Sequence, residues 1–171
     1  MIRHAYVHVP FCAAICSYCA FARSASLHQT DAWLQVIRKE IQTRLDQERK
    51  DDPSFFLETL YFGGGTPTVL SAQQLEDLLA LFQPYLAQEA EITLEANPET
   101  ADAAKLKALR TAGFNRISVG IQTFDDEALK KMGRRHTARQ AVDFISSARE
   151  AGFENISADL MYAMPWQSME D

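Results

Sequence analysis

The chain has 171 residues, 17 of them basic and 23 acidic, for a net charge of -6, and 47% are hydrophobic. That length and composition suit one globular domain with a real core, and the acidic balance argues against nucleic acid as the main partner, because phosphate-backbone binding relies on clustered Lys and Arg. No apolar run approaches the roughly 18 residues that span a bilayer, and the start MIRHAYVHVPFC reaches a cysteine before a signal-peptide core could form; a cytoplasmic protein with no transmembrane segment is expected.

Short β-type runs alternate with longer helical patterns. AYVHV (residues 5–9) reads as a first strand, and the loop that follows, HVPFCAAICSYCAF (8–21), holds every cysteine in the chain: Cys12, Cys16 and Cys19. Apolar residues at helical spacing predict a helix over DAWLQVIRKEIQTRLDQE (31–48), followed by a solvated loop, ERKDDPS (48–54), and a second strand, ETLYF (58–62). GGGTP (63–67) leads into a second helix, SAQQLEDLLALFQPYL (71–86), with Ser71 as its N-cap. Strands EITLE (91–95), NRISVG (115–120) and ISADLMY (156–162) alternate with helices DAAKLKALRTAG (102–113) and ARQAVDFISSAREAG (138–152), with Gly113 and Gly152 where helix C-termini fall. Five strands joined by four helical connections imply an α/β fold with a parallel sheet, since parallel neighbours need crossovers. In the ending, AMPWQSMED, Ser168 and Asp171 form the S-x-x-D signature of a helix about to begin. The chain is therefore expected to be the N-terminal part of a longer protein, with a disordered tail as the alternative.

The three thiols are spaced C-x3-C-x2-C. A disulfide framework suits neither a reducing compartment nor an odd count. A structural zinc site wants four closed ligands, so a fourth would have to come from His4, His8 or a more distant residue. A [4Fe-4S] cluster also takes four ligands; three thiolates leave one iron open, and an open metal position is where a substrate or cofactor binds. The GGGTP run lets backbone approach a ligand closely at the C-terminal edge of the sheet, or else makes a tight strand-to-helix turn. Glu95, Gln122 and Asp159 end or closely follow strands three, four and five and could converge on one mouth, or could be ordinary loop anchors. Asp159 stands in an otherwise strand-like run, where a buried carboxylate needs a ligand group or Arg134 as partner. Arg135 and His136 read as a solvated basic turn, and His8, on strand one, as a satisfied core histidine.

The C-x3-C-x2-C loop with Tyr18 before the last cysteine resembles the cluster loop of radical S-adenosylmethionine (SAM) enzymes. YVHVPFC, YFGGGTPTVL, EITLEANPET, GFNRISVGIQTFDDEALKKMGRRHT and ISADLMYAMP are similar to one branch, the oxygen-independent coproporphyrinogen III oxidases and their haem-chaperone relatives. The resemblance runs from Tyr6 to about Gln167. It implies a partial (β/α)6 barrel with about five of six βα units. Residues 1–171 would form a radical SAM core domain ending before the sixth strand and a C-terminal domain. It further implies that Cys12, Cys16 and Cys19 hold three irons of a [4Fe-4S] cluster while SAM chelates the fourth, and that electron transfer to the sulfonium releases a 5′-deoxyadenosyl radical. Tyr6, Tyr18, Gly64, Gly65, Thr66, Glu95, Gln122, Arg134 and Asp159 are the implied SAM contacts. Implied partners are haem or a porphyrinogen and an electron donor such as flavodoxin or ferredoxin, with haem bound by the full-length protein.

Within the branch, the short lead before Tyr6 and Phe21, where the oxidases carry a further cysteine, bring the chain closer to the haem chaperones, with an oxidase as the alternative. Ala20 and the YAMPWQS ending depart from the chaperone pattern, and Trp166 is expected to crowd the loop beside Asp159; both put full radical chemistry in question.

Overall fold

The structure, a computed structural model, describes residues 2–167; Ser168 and Asp171, expected to open a further helix, lie outside the described residues. Five strands, β1 (His4–Val9), β2 (Leu57–Gly64), β3 (Leu86–Ala96), β4 (Arg116–Gln122) and β5 (Asn155–Leu160), form one sheet in the order β1-β2-β3-β4-β5. Every neighbouring pair is parallel. Between them run α1 (Thr30–Asp51), α2 (Ala72–Phe82), α3 (Ala103–Ala112), α4 (Asp126–Met132) and α5 (Ala138–Glu150). The α/β arrangement of parallel βα units is as expected, and its sequential order is that of a partial barrel wall.

The two faces of the sheet differ in chemistry. Leu60 and Phe62 on β2, Ile92 and Leu94 on β3, and Ile117 and Val119 on β4 point into the core beneath the helices. Phe62 there meets Phe82 of α2 and Phe114 edge-on, at 6.2 and 5.3 Å between ring centroids. The alternate positions are polar and in register across the sheet: Tyr6 beside Tyr61, Tyr61 beside Thr93, Thr93 beside Arg116, Glu95 beside Ser118, Ser118 beside Ser157, and Gly120 beside Asp159. Parallel strands buried on both faces are apolar throughout; this alternation marks the inner face as one that meets a polar occupant.

Several boundaries differ from the sequence expectation. Residues 48–51, expected in a loop, form the last turn of α1. The second helix stops at Phe82 instead of continuing to residue 86: Pro84, which has no N–H, sits in a 3-10 turn over Gln83–Tyr85, and β3 starts at Leu86. Helix α4 is an addition to the expected elements; Asp125 caps its Glu127 and Ala128 amides, and Gly133, at φ 77°, ends it in the left-handed region. Ser71 does cap α2, in a reciprocal capping box with Gln74. Gly113 caps α3 at φ 121° and Gly152 follows α5 at φ 95°. No helix among the described residues is long and apolar enough to cross a membrane.

Candidate cofactor site

At the C-terminal end of β1 the chain enters the cysteine loop instead of a helix. The loop is bolted at both ends by backbone. Cys12 N donates to Ser24 O (2.9 Å), and Ser24 N donates to Pro10 O. Ser17 N reaches Met132 O at the end of α4 (3.0 Å), and Thr66 N reaches back to Phe11 O (2.7 Å). The loop thus closes over a cavity at the carboxyl ends of the strands, the edge where open α/β sheets bind ligands.

Cys12, Cys16 and Cys19 all line this cavity, with Tyr18, Gly64, Gly65, Thr66, Glu95, Gln122, Arg134 and Asp159. Tyr6 does not. Its ring is exposed, stacked on Tyr61 at 5.9 Å, and its hydroxyl donates to His8 Nδ1 (3.1 Å). His8 is no core histidine: it also donates from Nε2 to Ala22 O (2.8 Å), pinning the distal part of the cysteine loop.

The glycines have a reason that spacing alone did not reveal. A Cβ on Gly65 would lie 2.6 Å from Phe11 O and 3.0 Å from Cys12 Sγ, and one on Gly64, at φ 116°, would meet the His8 ring at 2.5 Å. Their first task is to let the β2 loop nest against the cysteine loop; approach to a ligand follows from that.

Glu95 is held by Tyr61, whose hydroxyl donates to Oε1 (2.7 Å), and by Gly64 N, which donates to Oε2 (3.0 Å). Burial, with the Glu95 carboxylate next, pushes the Tyr61 phenol well up, so it stays a proton donor. Gln122 adopts φ 70° where β4 ends. Arg134 does not reach for Asp159 as expected. Its Nη2 donates to Asn97 Oδ1 (2.8 Å) and to Gly120 O, and its Nη1 to Cys16 Sγ (3.7 Å). Asp159 is exposed at the rim, so the buried carboxylate reasoning does not apply to it. Arg135 is exposed as expected, but His136 is buried, 3.3 Å from Glu99. Lys131 Nζ lies over the Trp166 ring, 5.7 Å from its centre, and Trp166 is not among the residues lining the cavity.

Cavity residues that sequence reasoning missed include Arg23, Asn97, Ser118 and Gly120. Asn97 follows β3 within the ANPET block, and Ser118 is in register with Glu95, so strand periodicity could have found the latter.

Burial pushes the Cys12 thiol up, the Thr66 hydroxyl pulls against that, and Cys19 and Cys16 add to the rise. Tyr18 is pushed up to about 12, mainly by burial, against the pull of Arg134. The three thiols line one cavity, and among the described residues no three His, Cys, Asp or Glu side chains are grouped to hold one metal ion. Iron-sulfur clusters are held by Cys thiolates. Arg23 and Arg134, both on the lining, each bury an Nε that has no hydrogen-bond partner. Unpaired buried donors are costly, and an anionic ligand group would satisfy them. Thiols, orphaned guanidinium donors and a glycine cradle thus fit a cluster with a carboxylate-bearing cofactor.

Comparison with known proteins agrees. The chain is 46% identical over 169 residues to the haem chaperone HemW of Lactococcus lactis, covering 97% of this chain and 42% of that protein. It is 39% identical to HemW of Bacillus subtilis, covering 99% and 45%. It therefore spans less than half the length of these relatives. Among solved structures, coproporphyrinogen III oxidase (HemN) from Escherichia coli superposes with a TM-score of 0.86 at 32% identity, over 98% of this chain and 39% of that one. The family model of the Radical SAM superfamily matches residues 6–171, and with nearly its whole length so matched, the chain belongs to that superfamily.

Proposed function

We propose that the chain is the N-terminal radical SAM core of a haem chaperone, completed by a sixth strand and a C-terminal domain beyond Asp171. In this reading Cys12, Cys16 and Cys19 hold a [4Fe-4S] cluster and the cavity beside them takes SAM. When bound, the pair supplies one-electron chemistry at the SAM sulfonium. The chain's own residues bind and orient. Gly64, Gly65 and Thr66 cradle the methionine end of SAM, and the free Nε groups of Arg134 and Arg23 donate to its carboxylate. Glu95, Gln122 and Asp159 offer acceptors to its ammonium and hydroxyl groups, Tyr18 packs beside them, and Tyr6, outside the lining, supports through Tyr61 and His8.

The observation that carries the reading is that all the cysteines of the chain line the same cavity as the glycine loop and the strand-end carboxylates. Haem is the cargo of the complete protein, a reading supported by the HemW relatives, and flavodoxin or ferredoxin would supply the electron. The cavity's exposed Phe21, 72% accessible, stands where an oxidase carries its further cysteine. The likeness to HemN favours a second reading, a coproporphyrinogen III oxidase.

An anaerobic assay of the complete protein with coproporphyrinogen III, SAM and a reductant separates the two. The chaperone reading expects haem binding with little or no decarboxylation; robust protoporphyrinogen formation would overturn it.

A further inference from the structure

Asn97 stands between two cysteine contacts that lie on different loops. Its Nδ2 donates to Thr66 Oγ1 (3.2 Å), and Thr66 Oγ1 in turn donates to Cys12 Sγ (3.7 Å). Its Oδ1 accepts from Arg134 Nη2 (2.8 Å), while Arg134 Nη1 donates to Cys16 Sγ (3.7 Å).

The orientation of this amide is forced. A guanidinium has donors and no acceptor, so the side of Asn97 that meets Arg134 must be its carbonyl. The amide NH2 is then left facing Thr66 and must donate there. A hydroxyl has one proton; with its oxygen receiving from Asn97, Thr66 directs that proton to Cys12 Sγ. Donors to a sulfur ligand favour the more negatively charged, reduced state of a cluster and raise its reduction potential. The chain of hydrogen bonds is polarised throughout in a buried setting, with Thr66 only 4% exposed.

From these contacts we infer that Asn97 is a positioning residue that sets the direction of the Thr66 hydroxyl and thereby raises the reduction potential of a cluster held by Cys12, Cys16 and Cys19. The inference rests on the cluster assignment above. An aspartate at the same place would reverse the device, because a carboxylate accepts from Arg134 and from Thr66 alike, drawing the hydroxyl proton away from Cys12.

The test is a redox titration, without SAM, of the anaerobically reconstituted chain and of Thr66→Val, Asn97→Asp and the double variant. Thr66→Val shifts the potential negative by removing the donor. Asn97→Asp shifts it negative twice over, through the added charge and through the turned hydroxyl. In the double variant the charge effect alone is added to that of Thr66→Val, so the combined shift is smaller than the sum of the single shifts. Additive shifts, or no shift in either single variant, overturn the inference while leaving the cluster assignment intact. Failure of the unsubstituted chain to form a cluster overturns both.

Discussion

A side chain on Gly65 has nowhere to go: its Cβ would meet backbone, the Phe11 carbonyl oxygen at 2.6 Å, and Cys12 Sγ at 3.0 Å. Gly65→Val should therefore push the cysteine loop off the β2 loop, at a cost of about 1–3 kcal/mol for overpacking. It should lower cluster occupancy as well as SAM affinity, measured by iron content and by titration of SAM. Normal iron content with weakened SAM binding would place Gly65 against the ligand instead. At this scale the cysteines and the glycine run were legible because their chemistry is local in sequence. Asn97 and His136 were not, since their importance lies in what Thr66, Arg134 and Glu99 do at the far ends of other loops.

Between β3 and α3, and again after α4, the chain makes loops that carry Asn97 and Arg134 to the cavity. The two are clamped by a buried ion-pair approach: His136 Nδ1 lies 3.3 Å from Glu99 Oε2, without hydrogen-bond geometry, and His136 Nε2 donates to Ile121 O (3.2 Å), one residue before Gln122. Burial raises the Glu99 carboxyl, but the His136 contact, its own backbone and Arg134 outweigh it, and it stays below its ordinary value. A carboxyl depressed in the folded state adds stability at pH above its unfolded value, and that stability is lost as pH falls through the folded one. Between about pH 7 and about pH 3, Glu99→Gln should lose less stability to acid than the parent chain, read from denaturant midpoints. Equal losses would remove Glu99 from the clamp. The five strands and the four longer helices were legible from period and caps. Helix α4, only seven residues long, was too short to show a period, and Pro84 decided the end of α2 locally.

Across the whole molecule, polar side chains line one face of the sheet and helices cover the other, so the cavity is the open end of a partial barrel. Among the described residues β5 pairs on one side, with β4, and Leu160 at its end is 61% exposed. An unpaired apolar edge recruits other strands. The chain should self-associate as its concentration rises, and Leu160→Lys should reduce this in sedimentation; a stably monomeric parent chain would contradict it. That the sheet is parallel followed from the alternation of strands and helices, whereas its polar inner face needed the register. Everything proposed for the cavity depends on the three thiols holding a cluster with one iron open to SAM, and EPR of the reduced chain after anaerobic reconstitution reads both halves of that statement. One [4Fe-4S] cluster per chain is expected, lost when Cys12, Cys16 or Cys19 is replaced by Ala, with a spectrum that changes on adding SAM. Stoichiometric zinc without iron, or a spectrum indifferent to saturating SAM, would contradict it.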